Sequence, residues 1–112
     1  MASVEIKLKK RIDKGKFVSA ITSFNPIARL KLPSSPKIFI KYFDEEDRPQ
    51  TRLDRDFGNG MGITVGRLRQ DNILGWKFVA LSHNTVRGAA GGAILLAELL
   101  KVKGYLIKKN DY

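Results

Sequence analysis

The sequence predicts an α+β fold, a mainly antiparallel sheet carrying two principal helices, and three observations lead there. Val4, Ile6 and Leu8 alternate with Glu5, Lys7 and Lys9, the period of a half-buried strand. Two apolar runs, residues 61–69 and 75–82, flank a short polar turn at Asp71 and Asn72, the pattern of an antiparallel hairpin. Two further stretches set apolar residues at helical spacing behind side chains able to cap a helix.

Taken in order, the first strand gives way to a helix that Asp13 caps and that reaches residue 24. Phe17, Ala20, Ile21 and Phe24 stand three and four positions apart along it. Asn25-Pro26 ends it, because proline disfavours helical geometry in the residue before it. "LPSSP", residues 32–36, reads as a loop, and "KIFIKYF", residues 37–43, is rich in the branched and aromatic side chains of a strand. Residues 44–60 mix charges with Pro49 and two glycines, so neither a continuous helix nor a strand is expected there. Asp44, Glu45, Glu46 and Asp47 lack the spacing of a calcium loop, and Arg48, Arg52 and Arg55 are at hand to neutralise them. An exposed connection with local ion pairs is the expectation. In residues 61–69, Ile63 and Val65 face one way and Leu68 breaks the alternation after Gly66. A bulge or bend is therefore expected at that glycine.

The last helix is predicted over residues 85–103, with Asn84 as its N-cap and Gly104 as its stop. No charge occurs from Gly88 to Ala97, and small residues fill the first half of that run. Gly91 and Gly92 each cost a helix interior about 1 kcal/mol against alanine, so something must offset them. Close packing on another element or close approach of a ligand to the first turn would do so, and packing is the favoured reading. The glycine spacing is not a dinucleotide fingerprint. Val86, Ala89, Ala90, Ala93, Ile94, Leu95, Leu96, Leu99 and Leu100 spread round the helix, more than one sheet can cover. Self-association is expected to hide the remainder.

A chain of 112 residues is one small domain or a piece of a larger protein. With no cysteine and a single histidine, His83, it has no disulfide and no thiolate nucleophile, and no metal site is expected. No apolar segment follows Met1, and no run approaches the ~20 residues of a membrane span, so a cytoplasmic location is expected. The net charge is +10, with Lys7, Lys9, Lys10, Arg11, Lys14 and Lys16 at one end and Lys108 and Lys109 at the other. Such charge attracts nucleic acid, anionic headgroups or phosphorylated molecules. No aromatic residue is spaced among the N-terminal cations to stack bases, so a solvated face is the leading reading. A stand-alone basic oligomerisation or nucleic-acid-binding module is the alternative from another class.

"EEDRPQTRLDRDFGNGMGITVGRLR" followed by "KFVALSHNTVRGAAGGAILLAELL" resembles the C-terminal part of aspartate-semialdehyde dehydrogenase of the archaeal and fungal type. The similarity covers residues 4–105, and malonyl-CoA reductase of the same superfamily is the alternative. The fold implied is part of the C-terminal domain of the glyceraldehyde-3-phosphate-dehydrogenase-like dehydrogenases, plus its final helix. Residues 1–82 would then belong to the catalytic and oligomerisation domain. Residues 83–105 would form the helix that packs on a nucleotide-binding domain absent from this chain, and 106–112 a basic tail. The resemblance further implies a homo-oligomer, NADP as cofactor, and Asn84, Thr85 and Gly88 as cofactor-binding residues, with the Asn84 amide near the nicotinamide. In the family a cysteine attacks the carbonyl to form a thioester, a histidine handles protons and hydride passes to or from the cofactor. The cysteine lies upstream of the matched region, and the histidine and a substrate-binding arginine lie just before the first strand. No catalytic residue is therefore expected here, and His83 is read as structural. The reaction implied for the parent enzyme is NADPH-dependent reduction of aspartyl phosphate to aspartate semialdehyde with release of phosphate.

Overall fold

Four strands form one sheet in the order β1-β4-β3-β2 in the computed structural model, which describes residues 1–107. They are β1 (Ala2–Ile6), β2 (Ile40–Phe43), β3 (Ile63–Asp71) and β4 (Gly75–Leu81). The pairs β1–β4 and β3–β4 are antiparallel, and β2 joins β3 in parallel, so the sheet is mainly antiparallel as expected. The helices are α1 (Lys14–Thr22), the single turn α2 (Thr51–Asp54) and α3 (Gly91–Val102). Of the expected basic tail, residues 108–112, which include Lys108 and Lys109, lie outside the described residues.

Strand limits follow the availability of partners rather than the composition of each run. Ile6 pairs with Trp76 at the beginning of β4, so Leu8 and Lys9 have no strand to join and β1 ends earlier than the alternation suggests. At the other edge Ile40 pairs with Ile63 at the start of β3, which leaves Lys37 and Ile38 outside the ladder. The bulge expected near Gly66 is present as a register shift between Gly66 and Arg69. Its positive φ of 56° falls on Arg67, not on the glycine.

Asp13 caps α1 as expected, accepting from the Lys16 N–H at 2.8 Å. The helix stops at Thr22 with Ser23 as C-cap, two residues short of the expected end, and Phe24 is exposed. Phe17 anchors α1 on the sheet among Leu68 and Trp76, with its ring 5.4 Å from Trp76 and 6.1 Å from Phe78. Burying that ring with its neighbours contributes on the order of 2–3 kcal/mol.

Residues 44–60 are mostly exposed and carry the local ion pairs Arg48–Asp54 and Arg55–Asp56, as expected, but the segment is anchored at two points. Pro49 and Asp54 are buried, and a Cβ on Gly66 would run into the Arg48 carbonyl. Arg48 and Pro49 therefore lie directly on β3. Arg48 turns to Asp54 inside the fold instead of neutralising the exposed run at 44–47.

The last helix makes a second core of its own. Leu95 packs with Leu32 and Met61, flanked by Ile27, Leu30, Val86 and Leu99. Glu98 fastens it further, accepting from the Ser34 N–H at 2.8 Å and the Ser34 hydroxyl at 2.7 Å. The "LPSSP" loop and Met61, not the sheet, thus cover this helix. Gly104 ends it at φ 85°, with the Tyr105 N–H returning to the Leu100 carbonyl at 2.9 Å.

Candidate functional site

Between Leu81 and Gly91 the chain leaves the sheet and enters α3 through a turn that carries all three expected cofactor-binding residues. Residues Val86–Ala90 form a π-helical turn, in which the Ala90 N–H reaches the Thr85 carbonyl at 3.0 Å. The expected helix over 85–103 is therefore a wide turn followed by a regular helix from Gly91. π-turns inside helices frequently sit at functional sites.

His83 holds this turn. Its Nδ1 accepts the Val86 N–H at 3.2 Å and lies 3.2 Å from the Thr85 hydroxyl, while its carbonyl accepts the Gly88 N–H at 3.0 Å. Its other ring nitrogen stands 4.0 Å from the Asp56 carboxylate. Accepting through Nδ1 places the proton of the neutral ring on Nε2, facing that carboxylate. His83 occupies the capping role that the sequence assigns to Asn84. The correction has a physical reason: the wide turn brings the Val86 N–H within reach of the imidazole one residue earlier.

Asn84, Thr85 and Gly88 are all exposed and lie together on the outer side of this turn. The Asn84 side chain makes no hydrogen bond to another described residue. Nothing approaches the place of a Gly88 Cβ closer than 3.6 Å, so packing does not require glycine there. Gly91 is different. A Cβ on it would strike the Met61 sulfur and the Val86 carbonyl, so the glycine admits close contact between the helix start and Met61. Packing offsets the cost of that glycine. Beside the turn, the Arg87 guanidinium lies over the Phe39 ring at 5.2 Å, and its buried Nη1 has no partner among the described residues.

The outer surface of α3 extends this region. Ala89, Ala90, Ala93, Ile94, Leu96 and Ala97 are exposed and adjoin one another round the helix, opposite the covered Leu95. Ile94 and Leu96 are 55% and 56% exposed, too much for side chains settled in a core.

The chain has no cysteine, and no group of three or more metal-ligating side chains occurs among the described residues. The buried Asp54 is committed to Arg48, with Nε at 2.9 Å and Nη2 on the other oxygen, and to the Gln50 N–H at 2.7 Å. The Arg48 hydrogen bond, reinforced by the Gln50 amide and opposed by burial, holds its carboxyl below the usual carboxylate range. A carboxylate so engaged is a poor general base. No helix among the described residues is long and apolar enough to cross a membrane.

The model of the semialdehyde dehydrogenase dimerisation domain matches residues 1–87. Aspartate-semialdehyde dehydrogenase of Archaeoglobus fulgidus is 57% identical over 81 residues, 72% of this chain and 24% of that protein. Malonyl CoA reductase (NADP) of Metallosphaera sedula is 45% identical over 107 residues, 93% of this chain and 30% of that protein. Among solved structures, aspartate semialdehyde dehydrogenase with NADP from Candida albicans superposes with a TM-score of 0.80 at 38% identity. That match covers 93% of this chain and 30% of the other. The chain spans 24% and 30% of the length of the two curated relatives named.

Proposed function

This chain belongs to the semialdehyde dehydrogenase dimerisation-domain family, and from that premise we propose that it is the C-terminal part of an NADP-dependent aspartate-semialdehyde dehydrogenase. The parent reaction is reduction of aspartyl phosphate to aspartate semialdehyde with release of phosphate. Residues 1–82 contribute to the catalytic and oligomerisation domain, and residues 83–105 form the helix that meets the nucleotide-binding domain. The observation that carries this reading is the turn at 84–88. It presents an unengaged amide, a hydroxyl and an unobstructed glycine at the head of a helix with a bare apolar outer surface.

Bound NADPH supplies the hydride. Asn84 orients the nicotinamide amide through its own side-chain amide, Thr85 adds a hydroxyl, and Gly88 lets the ring approach the backbone. The small residues Ala89, Ala90, Ala93 and Ala97 allow the nucleotide-binding domain to pack closely on α3. The nucleophilic thiol and the proton-handling histidine come from outside this chain in this reading. Reduction of malonyl-CoA is the second reading, favoured by the reach of that relative's similarity across 93% of the chain.

Two experiments test this. The purified chain is expected to oxidise no NADPH with aspartyl phosphate or malonyl-CoA, and Asn84→Ala is expected to leave any NADP binding by the isolated chain unchanged, because the 84–88 turn alone holds the cofactor more weakly than about 1 mM. Turnover above a buffer control would overturn the assignment of the chemistry to groups elsewhere. A chimera in which this chain replaces the matching segment of the Archaeoglobus fulgidus enzyme is expected to reduce aspartyl phosphate. Asn84→Ala should then lower its kcat/KM roughly tenfold, the loss of about one charge-free hydrogen bond and its orientation. A folded chimera inactive with aspartyl phosphate, or insensitive to Asn84→Ala, counts against the reading. Activity with malonyl-CoA alone selects the second one.

A further inference from the structure

The N-terminal cations serve no purpose in the function above, yet the fold gathers them at one place. Where β1 runs out at Ile6, Lys7, Lys9, Lys10 and Arg11 pass alongside the turn between β3 and β4. Together they border an open cleft of about 600 Å³, within the size range of small-molecule sites. Most of its lining is polar, and Ile12 and Trp76, which belong to the core under α1, supply an apolar part of its floor. It lies at the beginning of β4, and the His83 turn follows the end of that strand, about 20 Å away along seven residues.

Charge is unbalanced in this cleft. None of the four cations forms an ion pair among the described residues. The one carboxylate bordering it, Asp71, accepts the Leu74 N–H at 3.1 Å and so closes the hairpin turn instead of neutralising a lysine. Four like charges on five consecutive residues repel one another, and a multivalent anion relieves that repulsion while recruiting several charge-assisted hydrogen bonds. We propose that this cleft binds a phosphate-bearing small anion of about nucleoside-diphosphate size. Its phosphates lie against the Lys7–Arg11 rim, and its organic body covers the Ile12 and Trp76 floor. The concave shape favours a small organic phosphate over a nucleic-acid strand, for which no exposed aromatic platform is present among the cations.

Trp76 is the only tryptophan of the chain, so its fluorescence reports directly on the cleft. Titration with inorganic pyrophosphate and with ADP in 0.15 M NaCl is expected to give a saturating change with Kd below about 1 mM. ADP should bind more tightly than pyrophosphate because its body covers the floor. Lys7→Gln with Lys10→Gln should weaken both by about tenfold. Lys101→Gln with Lys103→Gln removes the same charge from α3 and the residue after it, and should leave them within about twofold. Equal weakening by the two double variants would reduce the effect to diffuse charge and overturn the site. So would the absence of saturable binding by fluorescence and calorimetry together. Ile73 is 82% exposed at the hairpin tip, so vesicles containing phosphatidylglycerol test a lipid surface as the source of phosphate. Sedimentation with vesicles in the absence of pyrophosphate saturation would assign these cations to a membrane and refute the small-anion site.

Discussion

At Asp54 a carboxylate lies only 5% exposed, held by both arms of the Arg48 guanidinium and by the Gln50 amide. Its pKa is lowered in the folded protein, so the charged form is the one that folding favours. The contribution is complete above the unfolded value of about 4 and drains away as pH falls through the folded value. Asp54→Ala is expected to cost roughly 2 kcal/mol near pH 7, chiefly by leaving Arg48 and the Gln50 N–H without their acceptor. Urea unfolding at pH 7 and pH 3 should show the gap between native and variant narrowing in acid. A gap unchanged between the two would mean that packing, not charge, accounts for the residue. His83 is the other residue whose role depends on its partners. The imidazole caps Val86, and that arrangement leaves the Asn84 amide unengaged for the proposed cofactor contact.

Strand β3 shows how one element is shaped by its neighbours on every side. Gly66 admits the Arg48–Pro49 segment, Arg67 takes the positive φ of the bulge, and Leu68 turns back under α1. Replacing Gly66 with alanine places a methyl against a backbone carbonyl that cannot rotate aside. We expect Gly66→Ala to destabilise by about 2 kcal/mol or more, at the upper part of the range for overpacking. Thermal unfolding measures it. A loss within about 0.5 kcal/mol, the size of an ordinary surface change, would show that the 48–49 segment moves away freely. Helix α3 lies at the other extreme, covered along one side by Leu32 and Met61 and latched by Glu98 to Ser34. Its remaining circumference has no core cluster against it among the described residues.

For the whole molecule that bare surface decides behaviour in solution. The radius of gyration is 16.6 Å, against about 13 Å for a compact chain of this length, so this is an extended body with much surface for its mass. Ile94, Leu96 and the alanines between them form a contiguous apolar strip of the kind that seldom stays in water. The isolated chain is expected to scatter light as a dimer or larger at micromolar concentration. Ile94→Lys with Leu96→Lys should shift it towards the 12.6 kDa monomer if the helices pair. Unchanged association in that variant would move the contact to the open edges of β1 and β2. A native chain monomeric throughout the range would contradict the expectation altogether.

Much of this was readable along the chain because its causes are local. Alternation in Val4 and Ile6, the Asp13 cap, the polar turn at Asp71 and Asn72, the break after Gly66 and the Gly104 stop depend on residues a few positions apart. Those five features are enough to set the α+β class. What the run of residues did not reveal depends on partners distant in sequence. The strand from residue 37 shortens because β3 offers no pairing before Ile63, and Arg48 and Pro49 come close against β3 because Gly66 leaves room for them. Resemblance alone put forward Asn84, Thr85 and Gly88, which the fold leaves exposed, whereas the cap at His83 follows from a π-turn that no spacing rule announces. By itself the sequence determined which segments become strands and helices, since periodicity and capping act within a few residues. Only the tertiary structure decided where each ends and which apolar surfaces stay bare, because burial and pairing depend on what lies across the fold.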